Sequence, residues 1–570
     1  MEFDSKQSQR ERRNWRTSSA RSISLNLTLA AIEPAKGLIW HRCYEEYDCA
    51  RLNVPLDWLD PSEELRASIA VIRYNATDKK NYKGPVFINP GGPGGSGVWF
   101  MKRLAPYYQA VIGRNHDIIS FDPRGVGQTV PRIDCWKSSQ SGRIWNLQET
   151  PVLDAHPGAV YDAYAHTSAF SQQCALQIGG DRSSNSIEEA GTGRFVSTAS
   201  TARDMLEIME KAGQDKLKYW GFSYGTILGT TFAAMFPDRI ERMVNDGNVD
   251  AAQYFSGSGS HYLHDTDKVM EAFYHFCHIA GPSSCTFHAS SSLSIQSRLE
   301  SLLQSLKKSP VIVLPSLNST DEIPIIISYS DVRRLIASSL YRPLVMFPRL
   351  AEALTAIEAG DGNAFLDVVG RNEGNSLLCD DGKNTPTPEL PEVEGSADAS
   401  KAILCSEQPL QNDTVDTFSK YVEEAAAISK AAGATMADIH LGCVGWKVEA
   451  KWRFTGPFQG NTSHPILFVS NIADNITPLV SARLNAKGFP GSVVLVSNSY
   501  GHTSLSTPSQ CTAKHIQRYF QHGVLPQEDT VCDPDLVPFE RWNMSASWIE
   551  DELGVALREL MLAPVVGMGM

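Results

Sequence analysis

Short apolar runs and longer amphipathic stretches alternate through the first 250 residues, and the short runs return near the end of the chain. The runs at 50–58 and 67–74 predict an antiparallel opening pair, because the second alternates and is rich in β-branched residues. Residues 85–89, 117–121, 217–220 and 239–244 read as short buried strands, and 465–470 and 492–496 repeat the pattern later. Between them, 198–212 carries Ala202, Met205, Leu206 and Met209 at helical spacing, and a further helix is predicted at 508–521. Strands of this kind alternating with helices predict an α/β fold, a mostly parallel sheet flanked by helices.

From about 250 to 455 the rhythm changes. Helical spacing dominates at 267–279, 292–307, 331–341, 347–359 and 416–431, and a Pro-, Glu- and Ser-rich stretch at 384–400 reads as an exposed loop. The chain is therefore divided into a flexible leader (1–36), the first part of the sheet domain (37–250), a mostly helical cap inserted late in the sheet (251–454), the second part of the sheet domain (455–545) and a C-terminal tail (546–570). A length of 570 residues suits a core domain plus a large insertion. No internal repeat is visible.

Composition narrows the class. Hydrophobic residues make up 42% and charged residues 20%, as in soluble globular proteins. The net charge of −13 argues against nucleic acid as a partner, since phosphate binding needs a basic surface. No run of eighteen apolar residues is present, so no transmembrane segment is expected. The sequence is silent on oligomeric state.

The 11 cysteines include the close pairs Cys43/Cys49, Cys277/Cys285 and Cys511/Cys532. None forms the C-x-x-C clusters of a zinc site, and no histidine lies at ligand spacing beside them. Disulfides are the better reading, and with Asn-x-Ser/Thr sequons at Asn26, Asn75, Asn318, Asn412, Asn461, Asn475 and Asn543 they favour a secreted glycoprotein. Residues 1–22, polar and arginine-rich, lack an apolar signal core and leave a cytoplasmic protein as the alternative.

The chemistry centres on Gly221-Phe222-Ser223-Tyr224-Gly225, where a short apolar run meets a helical stretch. A serine at such a turn needs neighbours without side chains, so that the helix can pack close to the strand while the hydroxyl stays accessible. A nucleophilic serine needs a base, an acid to orient that base, and donors for the oxyanion. Asp474 and His502 each fall just past a late strand, 28 residues apart, where open α/β sheets place their chemistry. Ser223 is thus the candidate nucleophile, His502 the general base and Asp474 the orienting acid. Asp246 and Asp250, after an earlier strand, are rival acids that read by default as turn residues. The glycine-rich loop 91–97 lacks the lysine of a phosphate cradle and suits an oxyanion hole. There a backbone N–H, Gly92 first and Gly91 next, joins that of Tyr224. Asp122-x-Arg124-Gly125-x-Gly127 reads as a structural brace. No motif implies a metal or organic cofactor.

Taken together, Cys-Ala-Arg-Leu-x-Val-Pro-Leu-Asp (49–57), Asn-Pro-Gly-Gly-Pro-Gly-Gly-Ser-Gly (89–97), Asp-Pro-Arg-Gly-Val-Gly (122–127), Gly-Phe-Ser-Tyr-Gly-Thr (221–226), Asp474-x-x-Thr-Pro and Gly-His502-Thr carry a resemblance. Residues 37–250 and 455–535 resemble α/β-hydrolase serine peptidases of the tripeptidyl and prolyl aminopeptidase type, in their actinobacterial and fungal branch. The resemblance implies Ser223, Asp474 and His502 as triad, a helical cap over the cleft, and cleavage of short peptides from a free N-terminus. The pair Cys511 and Cys532 also looks like that branch. The cap matches less well than the core, and relatives of this branch act on esters, lactones or amides of specialised metabolites. Three readings follow: an exopeptidase, an esterase or amide hydrolase of a small molecule, and a non-catalytic protein on the same fold. The last would be marked by loss of the serine, the histidine or the oxyanion glycines, and all are present.

Overall fold

Runs that are apolar at every position can only settle where both faces of a strand are covered, and β-branched and aromatic residues favour the extended form. In the computed structural model, which describes residues 28–180, 191–257, 259–315, 323–370, 396–540 and 551–563, such runs become the centre of a sheet. The strands are β1 (His41–Cys43), β2 (Tyr47–Pro55), β3 (Arg66–Tyr74), β4 (Val86–Asn89), β5 (Ile118–Phe121), β6 (Leu217–Phe222), β7 (Ile240–Asp246), β8 (Val311–Val313), β9 (Ile325–Ile327), β10 (Leu467–Ala473), β11 (Val493–Tyr500) and β12 (Val531–Cys532). Ten of them form one sheet in the order β1-β2-β3-β5-β4-β6-β7-β10-β11-β12, and β8 and β9 pair separately. The pairings from β5 through β12 are parallel, and only the β1, β2 and β3 edge is antiparallel.

Every residue of β4, β5 and β6 is buried. One face is covered by the helices Gly97–Ile112, Gln510–His522 and Glu552–Leu562, whose Met101, Leu104, Phe520 and Leu560 pack on Ile88, Trp220, Val244 and Leu495. Thr198–Lys211, Tyr224–Met235 and Leu479–Lys487 cover the other, where Met205, Phe232 and Ala482 meet Phe87, Tyr219 and Phe468. Registers such as Asn89 with Gly221, Phe222 with Asp246 and Asp246 with Val469 bring the C-terminal ends of β4, β6, β7 and β10 to one edge.

Between β7 and β10 the chain is mostly helical, and Thr266–Ala280, Ser292–Leu306, Tyr329–Ser339, Pro343–Glu358 and Val415–Ile428 match the spacing of the sequence within a few residues. They share a hydrophobic cluster that includes Phe273, Leu299, Leu335, Phe347, Leu354 and Phe418. The helix Ala159–Ile178, from the segment before β6, joins that cluster through Ala163, while its Phe170, Cys174 and Ile178 belong to a second cluster with Ala399, Ala402 and Ile403.

Three stretches differ from expectation. The leader 1–36 is not loose throughout: Leu29 and Ile32 are buried in the sheet cluster, and Ala35 bridges to Leu52. Of the predicted loop 384–400, positions 384–395 lie outside the described residues, while Ser396 caps a helix, Ala397–Glu407, by accepting from the Ala399 N–H. The C-terminal tail carries the helix Glu552–Leu562, because Ala556 and Leu560 form an apolar stripe that docks on the helix Gly97–Ile112.

Five disulfides are formed among the described residues. Cys43–Cys49, Cys277–Cys285 and Cys511–Cys532 join the close pairs of the sequence. Cys135–Cys174 and Cys405–Cys443 join cysteines 39 and 38 residues apart, too far for spacing to suggest. Cys379 lies outside the described residues.

Candidate active site

The strand β6 ends at Phe222, and Ser223, the residue that precedes the helix Tyr224–Met235, has φ 55° and ψ −122°, a conformation that non-glycine residues adopt only under constraint. Its N–H donates to the Asp246 carbonyl at 3.0 Å, so the end of β7 holds the turn. The flanking glycines are needed for contact. A Cβ at Gly221 would lie 2.5 Å from the Gly225 carbonyl, and one at Gly225 would lie 2.9 Å from the Asn89 carbonyl. The serine side chain remains partly exposed.

The glycine loop after β4 lies directly against this turn. A Cβ on Gly91 would sit 2.3 Å from the Phe222 carbonyl and 3.2 Å from the Tyr224 nitrogen, and Gly91 holds φ 92°. The Gly91 N–H donates to Asn89 Oδ1 at 3.0 Å, which commits that donor. The N–H groups of Gly92 and Tyr224 have no protein acceptor among the described residues. Asp122 anchors the far end of the loop, accepting from Ser96 Oγ at 2.7 Å and Val98 N at 3.0 Å. Arg124 pairs with Asp204 at 2.6 Å and also donates to the carbonyls of Pro55 and Leu56.

On the other side, β10 and β11 deliver Asp474 and His502. His502 Nδ1 is 3.0 Å from both carboxylate oxygens of Asp474. With the Nδ1 proton directed at the carboxylate, Nε2 is the nitrogen left to accept. The Asp474 carboxylate is fully buried and also accepts from Ile476 N, Thr477 N, Thr477 Oγ1 and Thr503 N at 2.7–3.0 Å. Burial opposes its charge, but the neighbouring His502 and these hydrogen bonds outweigh it and hold the carboxyl below the usual range. The backbone N–H of His502 donates to the Tyr341 carbonyl at 2.9 Å, and the Tyr341 ring stands edge-on to the imidazole with centroids 5.3 Å apart.

The rival acids are occupied elsewhere. Asp250 caps the short helix Ala251–Ser256 by accepting from Gln253 N. Asp246 accepts from Ser504 N, Ser504 Oγ and Trp220 Nε1, which ties the histidine loop to the end of β7; burial pushes its carboxyl up to about 6. Ser223 and His502 are brought to the same edge but share no hydrogen bond in this structure. Free enzymes often hold this contact long and tighten it with substrate bound.

Some neighbours of the site carry no sequence signal. Glu407, the last residue of the helix Ala397–Glu407, is 1% exposed and accepts from Thr198 N and Thr198 Oγ1 at 2.8 Å and from Tyr254 Oη at 2.7 Å. Thr198 Oγ1 in turn lies 2.7 Å from Tyr224 Oη. Burial pushes Glu407 up to about 7 despite the hydrogen bonds that favour its charge. These residues are brought together from four distant segments, so spacing could not reveal them. Cys511, His515 and Cys532 approach within 4.8 Å of one another, but both sulfurs are joined in a disulfide and cannot ligate a metal.

The chain is also similar to known proteins. A family profile described as "alpha/beta hydrolase fold" matches residues 84–277, and one described as "TAP-like protein" matches residues 429–532. The chain is 28% identical over 500 residues to the serine protease Hip1 of Mycobacterium tuberculosis, covering 85% of this chain and 87% of that one. It is 24% identical over 547 residues to the tripeptidyl aminopeptidase of Streptomyces lividans, covering 90% and 89%. It is 26% identical over 501 residues to carboxylesterase B of Mycobacterium tuberculosis, covering 85% and 86%.

Proposed function

We propose, on the premise that this chain belongs to the α/β-hydrolase family with a TAP-like C-terminal part and is a serine hydrolase, that it is an exopeptidase releasing short fragments from the free N-terminus of peptides. Ser223 is the nucleophile, His502 the base, Asp474 its orienting acid, and Tyr224 and Gly92 the oxyanion donors. The observation that carries this reading is the buried Asp474–His502 pair beside a strained serine, with the N–H of Gly92 in the adjoining loop and that of Tyr224 at the start of the next helix both uncommitted.

In this reading Ser223 Oγ attacks the scissile carbonyl carbon as His502 Nε2 takes its proton. The carbonyl oxygen becomes an oxyanion that accepts from the N–H groups of Tyr224 and Gly92. Collapse of the intermediate breaks the C–N bond, and His502 protonates the leaving amine, which leaves an ester on Ser223. A water then attacks that ester as His502 takes its proton. The acid departs, and the proton returns to Ser223. Asp474, ionised and fully buried, stabilises the imidazolium at each transfer.

The resemblance to a carboxylesterase favours a second reading, in which the same groups cleave an ester or amide of a small molecule. Peptides with free and acetylated N-termini, compared with p-nitrophenyl esters, separate the two. A strong demand for the free amine is expected of the exopeptidase. Indifference to acetylation with rapid ester turnover would replace it by the esterase.

A further inference from the structure

The helix Ala397–Glu407 belongs to the insertion rather than to the sheet, yet it reaches both sides of the proposed oxyanion hole. At its start, Ser396 N donates to the Gly94 carbonyl at 3.2 Å, and Ser400 Oγ donates to the Pro93 carbonyl. The approach is close enough that a Cβ on Gly94 would lie 2.8 Å from the Ser396 carbonyl. At its end, the Glu407 carboxylate holds Thr198, and Thr198 Oγ1 meets the hydroxyl of Tyr224. Between the two ends, Ala399, Ala402 and Ile403 pack in one cluster with Tyr224 and Ile227. The helix is itself pinned from outside by Cys405–Cys443 and by Asp398, which accepts from the Cys135 N–H.

We infer that this helix sets the spacing of the oxyanion hole, with Ser400 and Glu407 as positioning residues that act through the Gly92–Gly94 loop and through Tyr224. The inference rests on the reading of Tyr224 and Gly92 as the oxyanion donors. Its physical ground is that an oxyanion hole works by preorganisation: its donors must already stand where the negative oxygen will form. The Gly92 donor belongs to a loop of glycines with little side-chain packing of its own. The Tyr224 donor belongs to a helix whose first residue can turn about the strained Ser223. Left to the sheet alone, the two would be set by separate elements. A rigid rod touching both sets one against the other.

The loop contact and the Tyr224 contact lie at opposite ends of the helix, so each can be released alone. In Ser400→Ala and Glu407→Gln, kcat for a p-nitrophenyl ester, counted per titrated active site, is expected to fall on the order of tenfold or more, with KM changed less than about threefold. A short alkyl boronic acid, which forms a tetrahedral adduct on the serine, is expected to lose affinity by the same factor as kcat/KM. A residue that merely supports the fold would lower the number of titratable sites and leave both values unchanged in the sites that remain. Folded variants that keep kcat per site within twofold of wild type, or that lose kcat with unaltered boronate affinity, would overturn the inference. If Glu407→Gln does not fold, Ser400→Ala, on the half-buried first turn, decides alone. Ser223→Ala run alongside separates the two levels. A live Ser223→Ala enzyme would sink the triad itself, whereas a dead one with unaffected Ser400→Ala and Glu407→Gln enzymes would sink only the role of the helix.

Discussion

The loops that meet at the site on the sheet side follow strands β4, β6, β7, β10 and β11, whose register is fixed by neighbours on both sides, whereas the helices between β7 and β10 are set mainly by a shared hydrophobic cluster and, at Ala397–Glu407, by Cys405–Cys443. In the first region position follows from the hydrogen-bond ladder, and a reactive side chain can be placed by counting from the end of a strand. In the second, position follows from side-chain packing, which many sequences satisfy equally well. In the proposed reading the chemistry is carried by the sheet, and the helical layer reaches it through polar contacts such as those of Ser400 and Glu407 and through the packing of Ala399, Ala402 and Ile403 with Tyr224.

The largest effect that would test this division is Ser223→Ala. Activity is expected to fall by about 10⁴-fold or more, while the melting temperature stays nearly that of wild type, because the hydroxyl makes no hydrogen bond that packing depends on. A variant with wild-type turnover would remove the sheet-edge loops from the chemistry altogether. Asp474→Asn is expected to lower kcat by roughly 10³–10⁴-fold and, unlike the serine variant, to cost stability, since an amide would face donors that now point at a carboxylate. Unchanged activity there would return the rival Asp246 to consideration.

Phe347→Ala probes the other region. This side chain is fully buried in the cluster of the helical layer, and its loss is expected to destabilise by about 3–5 kcal/mol in denaturant titration. Turnover of a small ester per folded molecule should change little; a loss as large as that of Asp474→Asn would mean that the layer packs the site as tightly as the sheet does. The smallest effect concerns pH. The Glu407 carboxyl lies near 7 in the folded protein and near 4.5 when unfolded, so between these values the folded state holds a proton that the unfolded state has released. Stability from this group is thus present below about 4.5 and is lost as pH rises to 7. Glu407→Gln cannot titrate, so relative to wild type its stability should rise by up to about 3 kcal/mol between pH 4.5 and 8. A constant difference across that range would show that the carboxyl titrates normally.

The contrast between the regions also explains what could be read from the chain. Each sheet-edge residue carries a local mark: Ser223 lies between glycines, His502 follows Gly501 just past a buried run, and Asp474 follows another. Such marks are physical, since the sharp turn and the strand end constrain their own neighbours. Glu407 has none. It is an acidic residue at the end of an ordinary helix, and only the arrival of Thr198 and Tyr254 makes it special. The helix Ala159–Ile178 carries an equally faint mark, because its buried positions are occupied by Ala159, Ala163, Thr167 and Cys174 as much as by Phe170 and Ile178, which leaves only a weakly apolar stripe.

One consequence concerns how the chain matures. Asn475-Ile476-Thr477 is an acceptor sequence for N-linked sugar, yet Asn475 is fully buried, its carbonyl accepts from Thr266 Oγ1 at 2.8 Å, and it adjoins Asp474. A sugar added there before β10 has joined the sheet could not be enclosed, and that molecule would be left without a closed loop around Asp474. In any host that decorates such sequences, the yield of active protein becomes a race between closure of this loop and the transferase. A higher active fraction for Asn475→Gln in such a host would show that the transferase wins, and an unchanged fraction that closure does.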